Sequence, residues 1–158
     1  SISIDTNVIV ALWTGTEDGS KKAQRALQDA ANRGGLVMCG AVFAELLAAP
    51  GRSEDFISEF CFETGIVIDW HFSEAIWISA GKAFQAYAKR RKRQKSGLPR
   101  RILADFLIGA HANENGHELL TLDAKLFDQR FPEFKLLRFD DVPCREIGEG
   151  LSVRVLAK

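Results

Sequence analysis

Five short segments rich in aliphatic and β-branched residues recur along the chain, and a segment of helical character follows each of the first four. They are residues 1–5, 36–39, 66–69, 118–122 and 135–139. Strands that alternate with helices at these lengths form parallel sheets, because each helix returns the chain to the same edge of the sheet. The alternation therefore predicts an α/β fold: a three-layer α/β/α sandwich around a central, mainly parallel five-stranded sheet.

The 158 residues are enough for one such sheet and its helices, which can bury a core without disulfides or a structural metal. We predict one domain over residues 1–139 and a C-terminal extension, 140–158, whose role no pattern indicates. The three cysteines (Cys39, Cys61 and Cys144) lack C-x-x-C spacing and are expected to be free, buried thiols. No stretch is long and apolar enough to span a membrane and no signal peptide precedes the first strand, so a cytoplasmic protein is expected.

Serine residues precede three of the predicted helices. Ser20, Ser53 and Ser73 are each expected to begin a helix, because a serine hydroxyl can accept a hydrogen bond from the first turn. Phe72 and Trp77 flank the last of these starts at the spacing of a hydrophobic staple.

Charge is unevenly distributed, although Lys and Arg total 21 and Asp and Glu also total 21. Residues 89–101 (KRRKRQKSGLPRR), called the basic strip below, contain eight bases and no acid. A run of one sign is either a solvated helix end or a surface for a polyanion such as nucleic acid, and both interpretations stay open. The strip ends just before an acidic residue, Asp105, which favours the second.

Four acids follow the predicted strands. Asp5 ends the first strand, Glu45 lies in the helix after the second, Asp105 lies in the first turn of its helix, and Asp123 ends the fourth strand. Ligands of open α/β sheets bind at the carboxyl ends of the strands. We therefore expect these four side chains at one edge of the sheet.

Carboxylates gathered in one cleft repel each other unless a cation lies among them. Mg²⁺ and Mn²⁺ prefer oxygen ligands, and such a metal can activate water against a phosphodiester while nearby bases hold the nucleic-acid backbone. Taken singly, each acid could instead cap a helix or pair locally. The hypothesis of a metal-dependent nuclease depends on the four acids together.

Four motifs stand in a fixed order: D-T-N at 5–7, A-E-L-L at 44–47, ILADFLIGAHA at 102–112 and TLDAKLF at 121–127. Over residues 2–139 the chain thereby resembles the PIN-domain ribonucleases of the VapC toxin type. The resemblance implies an acidic metal-binding and catalytic quartet of Asp5, Glu45, Asp105 and Asp123. It also implies supporting residues, which are Thr6, Asn7, Thr121 and an outer acid, Asp128.

By the same resemblance, the chain would be a Mg²⁺- or Mn²⁺-dependent endoribonuclease, a homodimer, and the target of a cognate antitoxin protein. The basic strip would bind RNA through Arg93, Lys95, Arg100 and Arg101. One alternative is a catalytically silent PIN-fold module that binds protein or RNA. A phosphotransferase of the haloacid dehalogenase type is disfavoured, because it needs a second aspartate where this chain has Asn7.

The histidines and tryptophans are expected to have structural rather than catalytic roles. His71, His111 and His117 lack ligand spacing and are expected to serve structure or face solvent. We expect Trp13, Trp70 and Trp77 to fill the core or a dimer contact rather than stack on bases.

Overall fold

The computed structural model describes residues 1–93, 103–128 and 136–138. Strands and helices alternate as expected, and helices flank a parallel sheet. The elements are β1 (Ile2–Ile4), α1 (Thr6–Thr14), α2 (Glu17–Arg33), β2 (Leu36–Cys39), α3 (Gly40–Leu47), α4 (Glu54–Thr64), β3 (Ile66–Asp69), α5 (Glu74–Arg93), α6 (Leu103–Glu114), β4 (Glu118–Thr121), α7 (Ala124–Asp128) and β5 (Leu136–Arg138). The predicted α/β/α architecture is confirmed.

The sheet has the strand order β3-β2-β1-β4-β5, and all four strand pairs are parallel. The chain moves from β1 to β2 on one side and reaches β4 on the other side only later. Such a reversal opens a crevice between the carboxyl ends of β1 and β4, which we call the switch point of the sheet, and ligands of α/β sheets bind at such crevices. Asp5, directly after β1, is the residue that enters this crevice.

The core lies on both faces of the central strands. β1 is buried along its whole length, as expected for a parallel strand covered on both sides. α6 is buried at every position from Phe106 to Ala112, so it is an internal helix rather than a surface one. Hydrophobic packing against α5, α3 and β4 therefore keeps α6, the helix that carries Asp105, next to the sheet.

Two of the three predicted helix starts are confirmed. Ser53 accepts a hydrogen bond from the Phe56 amide (3.2 Å), and Ser73 accepts one from the amide three residues later (3.4 Å). The staple is also present, since the Phe72 and Trp77 rings lie 5.8 Å apart.

The start predicted at Ser20 is wrong. The helix begins at Glu17, because the Thr16 hydroxyl already accepts a hydrogen bond from the Gly19 amide (3.2 Å). Ser20 instead donates its hydroxyl to the Leu12 carbonyl (2.8 Å), which ties α2 to α1.

Several predictions fall outside the described residues: Lys95, Arg100, Arg101, Cys144, the boundary at residue 139 and the extension 140–158. Cys39 and Cys61 are buried free thiols, as expected. In the described part of the chain, no helix combines the length and apolar character needed to cross a membrane.

Candidate active site

Asp5 is the buried centre of the crevice. Its amide donates to the Leu120 carbonyl (3.0 Å), which fixes the residue against β4, and the residue is only 6% exposed. Oδ2 accepts hydrogen bonds from the Thr121 hydroxyl (2.6 Å) and the Asn7 amide nitrogen (2.7 Å). The Asp5 side chain makes no cap hydrogen bond to α1, so the alternative that it serves as a helix cap is wrong.

Asn7 and Thr121 join the ends of β1 and β4 around this carboxylate. Asn7 donates to the Thr121 hydroxyl oxygen (3.1 Å) and accepts from the Leu122 amide (3.0 Å), while the Asp123 amide also donates to Thr121 (3.0 Å). The Thr121 hydroxyl thus uses its one donor and both acceptor positions. This saturated network fixes the turn that carries Asp123 relative to Asp5.

Glu45 is brought to the crevice by α3 and held there by Thr6. The Thr6 hydroxyl donates a hydrogen bond to Glu45 Oε2, so the residue next to Asp5 orients the acid on a different helix. Glu45 is half-buried, and burial raises its pKa, with a further increase from the charge of Asp105 and an opposing effect of the Thr6 bond.

The three carboxylates Asp5, Glu45 and Asp105 interact electrostatically. Burial, chiefly, raises the pKa of Asp5 from 3.8 to about 6; the Thr121 hydrogen bond opposes this, and the charges of Asp105 and Glu45 add to it. A buried carboxylate with like charges nearby and neutral donors around it is costly to ionise. A cation in the crevice would remove this cost.

The donor set fits a hydrated divalent cation. Within the described ranges, no group of three or more His, Cys, Asp or Glu side chains is close enough to hold a metal by itself, which excludes a closed structural site there. Mg²⁺ does not need one, because it is usually held by one or two carboxylates, waters and substrate phosphates. Asp5 with Glu45, Asp105 and Asp123 offers oxygen ligands of this kind.

Comparison with known proteins identifies the family. Residues 2–132 match the PIN domain. The chain belongs to the PIN domain family. No curated protein matches the sequence.

Solved structures share the PIN fold. VapBC-1 from nontypeable Haemophilus influenzae is 22% identical, with a TM-score of 0.60 over 88% of this chain and 98% of that one. FitAcB from Neisseria gonorrhoeae is 18% identical (TM-score 0.58; 89% and 99% covered). VapC20 from Mycobacterium tuberculosis, a sarcin–ricin loop cleaving toxin, is 15% identical (TM-score 0.55; 85% and 99% covered). At these identities the likeness establishes the fold.

The structure of this PIN domain brings together most of the residues singled out from the sequence. Asp5, Glu45 and Asp105 interact through charge, and hydrogen bonds join Thr6, Asn7 and Thr121 to them. Asp128 is the last residue of α7, but its side chain lies outside the described part of the chain. Of the four basic-strip residues predicted to bind RNA, Lys95, Arg100 and Arg101 also lie outside it. Their roles stay predictions.

The sequence patterns of this PIN domain did not identify Asp69, nor did they identify the partner of His111. Asp69 ends β3 at the same edge of the sheet, and its Oδ2 lies 3.1 Å from Nε2 of the buried His111. The rule that selected Asp5 and Asp123, an acid at the end of a strand, also applies to Asp69. His111 has a structural environment, as expected, but its partner is 42 positions away and no local pattern indicates it.

The tryptophans divide into two groups. Trp13 packs edge-on against Phe56 (5.2 Å between centroids) at the margin of the core. Trp70 and Trp77 are 61% and 51% exposed. The core role is therefore wrong for these two, and their role in a dimer contact stays a prediction.

Proposed function

We propose that this PIN domain is a divalent-metal-dependent endoribonuclease of the VapC type, the toxin of a type II toxin–antitoxin pair. The observation that carries the proposal is the Asp5 carboxylate, buried at the switch point of the sheet, with its pKa raised to about 6 by burial and by Asp105 and Glu45. Perturbed carboxylates in a crevice are typical of functional sites.

Mg²⁺ or Mn²⁺ would be held by one or two carboxylates at a time from the set Asp5, Glu45, Asp105 and Asp123, together with waters. When bound, such an ion lowers the pKa of a coordinated water and offsets negative charge on a phosphate. Asp5 is held rigidly by Thr121 and Asn7, so it fixes the position of the ligand set. Glu45, oriented by Thr6 and with a raised pKa, is suited to accept the proton of the attacking water.

The basic strip would bind the RNA backbone. Its described part is the C-terminal turn of α5, where Arg90, Lys92 and Arg93 are exposed. Exposed bases of one sign attract phosphates without reading sequence. We propose that Arg93, with Lys95, Arg100 and Arg101 beyond it, holds RNA next to the acids.

An antitoxin and a second copy are the proposed protein partners. One of the similar structures named above is that of VapBC-1, which supports an antitoxin that neutralises the site. Trp70, Trp77 and Ile78 are exposed near the start of α5, and aromatic residues such as tryptophan are enriched at protein–protein interfaces. We propose that they contribute to a homodimer and that the protein acts in the cytoplasm.

The test is cleavage of RNA by the purified protein. We expect cleavage with Mg²⁺ or Mn²⁺, none with EDTA, and none by Asp5→Asn in either condition. Full cleavage in EDTA would contradict the metal-dependent mechanism. RNA binding without cleavage at any metal concentration would instead support the catalytically silent module.

A further inference from the structure

His111 is an unusual residue for the middle of an internal helix. It is fully buried in α6, and its Nε2 lies 3.1 Å from Asp69 Oδ2. Nδ1 is also buried and has no hydrogen-bond partner among the described residues. Among the described residues Nε2 is thus the ring nitrogen with a partner, so the geometry indicates that Nε2–H donates to the Asp69 carboxylate.

Asp69 is well suited to receive this bond. It is the last residue of β3, opposite Cys39 of β2, and so belongs to the carboxyl edge of the sheet. Its Oδ1 accepts a hydrogen bond from the His71 amide (2.8 Å), while Oδ2 faces His111. Both oxygens are therefore fixed, and the carboxylate is a rigid acceptor on the sheet.

The rest of α6 is held mostly by apolar contacts. Its buried run from Phe106 to Ala112 packs against α5, α3 and β4. Apolar contacts resist separation of the helices, but they depend weakly on direction, whereas a hydrogen bond between fixed groups constrains both rotation and translation. The Asp69–His111 pair thus supplies a directional constraint between α6 and the sheet.

Asp105 is sensitive to such a constraint. It precedes His111 by six residues, which is about 9 Å along the helix axis and about 120° around it. A rotation of α6 by about 10° would move a side chain at the helix surface by about 1 Å. Displacements of this size are enough to lower the efficiency of a catalytic site about 100-fold.

We propose that the Asp69–His111 pair positions α6 and thereby sets where Asp105 lies relative to Asp5 and Glu45. The inference depends on the proposed function in one respect, namely that Asp105 is a metal ligand. Asp69 and His111 are positioning residues, since neither is among the proposed ligands.

The test compares two substitutions of similar volume. Gln can place an amide N–H near the position of the imidazole Nε2, whereas Leu offers no donor. We expect His111→Leu to weaken Mn²⁺ binding by about 10-fold or more, the range seen for lost outer partners of metal ligands, and His111→Gln to weaken it by less than about 3-fold. Mn²⁺ binding is measured by calorimetry, well below the melting temperature of each variant.

Two further variants separate positioning from general destabilisation. Ala26→Gly in α2, which is buried but carries no proposed ligand, should lower the melting temperature and leave Mn²⁺ affinity unchanged. Asp69→Ala approaches the pair from its partly exposed side, so it keeps the test valid if His111→Leu does not fold. The double variant, His111→Leu with Asp69→Ala, should bind Mn²⁺ about as weakly as either of these two single variants, because each substitution removes the same interaction.

Mn²⁺ binding by His111→Leu and Asp69→Ala at wild-type affinity would overturn this inference and leave the proposed function intact. So would an equal loss in Ala26→Gly, which would make the effect one of stability alone. A wild-type protein that bound no Mn²⁺ would overturn the proposed function and the inference together.

Discussion

Asp5 and Asp69 are both acids at the carboxyl ends of strands in one parallel sheet, yet their environments differ. Asp5 is buried beside two other carboxylates, and its pKa is raised to about 6. Asp69 is about one-third exposed, and the His71 amide, more than the His111 imidazole, lowers its pKa. A position at a strand end therefore does not define a role. Asp69 already has its partners, whereas the charge of Asp5 lacks compensation that a cation would supply.

The largest expected effect separates the two acids by activity. Asp5→Asn keeps the size of the side chain and an acceptor for Thr121 but removes the charge. We expect RNA cleavage to fall by at least about 100-fold, above the range for loss of an outer partner, and Asp69→Asn to lower it by no more than about 10-fold. Asp55→Asn, at an exposed acid in the first turn of α4, should cleave at the wild-type rate. Equal losses for Asp5→Asn and Asp69→Asn would remove the distinction between the two acids.

The pH dependence of stability should have opposite signs at the two acids. Folded Asp5 binds a proton more tightly than unfolded Asp5, since its pKa is about 6 instead of 3.8. The free energy of unfolding of the metal-free protein should therefore fall as pH rises from about 4 to about 6, by about 2 kcal/mol from this residue. Asp69, with a lowered pKa, contributes stability that is lost as pH falls through its folded pKa.

The contribution of Asp5 is measured by urea unfolding of the wild type and of Asp5→Asn, in EDTA, at pH 4.5 and at pH 7. Asp5→Asn should lack the contribution of Asp5 and be more stable than the wild type at pH 7. If the free energy of unfolding changed equally in the two proteins between pH 4.5 and pH 7, burial of Asp5 would carry no net electrostatic cost.

The sequence was sufficient to predict the fold and the candidate site only in part. Asp5 and Asp123 were found because strand ends in a parallel sheet share one edge, a rule that needs only the positions of the strands. The start of α2 was missed because Thr16 and Ser20 are both able to cap a helix, and the choice depends on the contact of Ser20 with Leu12.

Other features needed the three-dimensional arrangement. The Asp69–His111 contact joins residues 42 positions apart, and the Thr121–Asp5 bond joins residues 116 apart. The sequence identifies the types of these residues but not how deeply each is buried. Burial is the main reason that the pKa of Asp5 is raised, so the sequence alone could not predict its shift.

Metal binding is the next effect in size. If a cation compensates the charge of Asp5, Mg²⁺ at about 100 times its Kd should stabilise the native state by about 2.7 kcal/mol. For a chain of this length that is a rise in melting temperature of roughly 5–10 °C. Asp5→Asn should show a much smaller rise. An unchanged melting temperature of the wild type at millimolar Mg²⁺ would contradict a site preformed around Asp5.

A smaller effect is expected at Thr6, whose hydroxyl orients Glu45. Thr6→Val keeps the shape of the side chain but leaves Glu45 without this donor, and we expect cleavage to fall about 10-fold. Thr6→Ser keeps the hydroxyl and should restore most of the activity. The comparison is made at saturating metal, so a loss in kcat with little change in KM indicates misorientation of Glu45. Equal activities of Thr6→Val and Thr6→Ser would exclude an orienting role.

Substitutions in the basic strip are expected to have the smallest effect on the pKa of Asp5. Arg100→Ala with Arg101→Ala should weaken RNA binding about equally across sequences and reduce the slope of log K against log salt by about 0.7 per lost phosphate contact. The pH dependence of stability of this double variant should nevertheless match the wild type, because burial and the adjacent carboxylates raise the pKa of Asp5. Lys22→Ala with Arg25→Ala, at exposed positions on α2, removes the same charge elsewhere and should leave RNA affinity unchanged.

If both double variants bind RNA like the wild type, the strip is a solvated helix end. If the first instead shifts the titration of Asp5, then long-range charge, and not only the local environment, distinguishes Asp5 from Asp69.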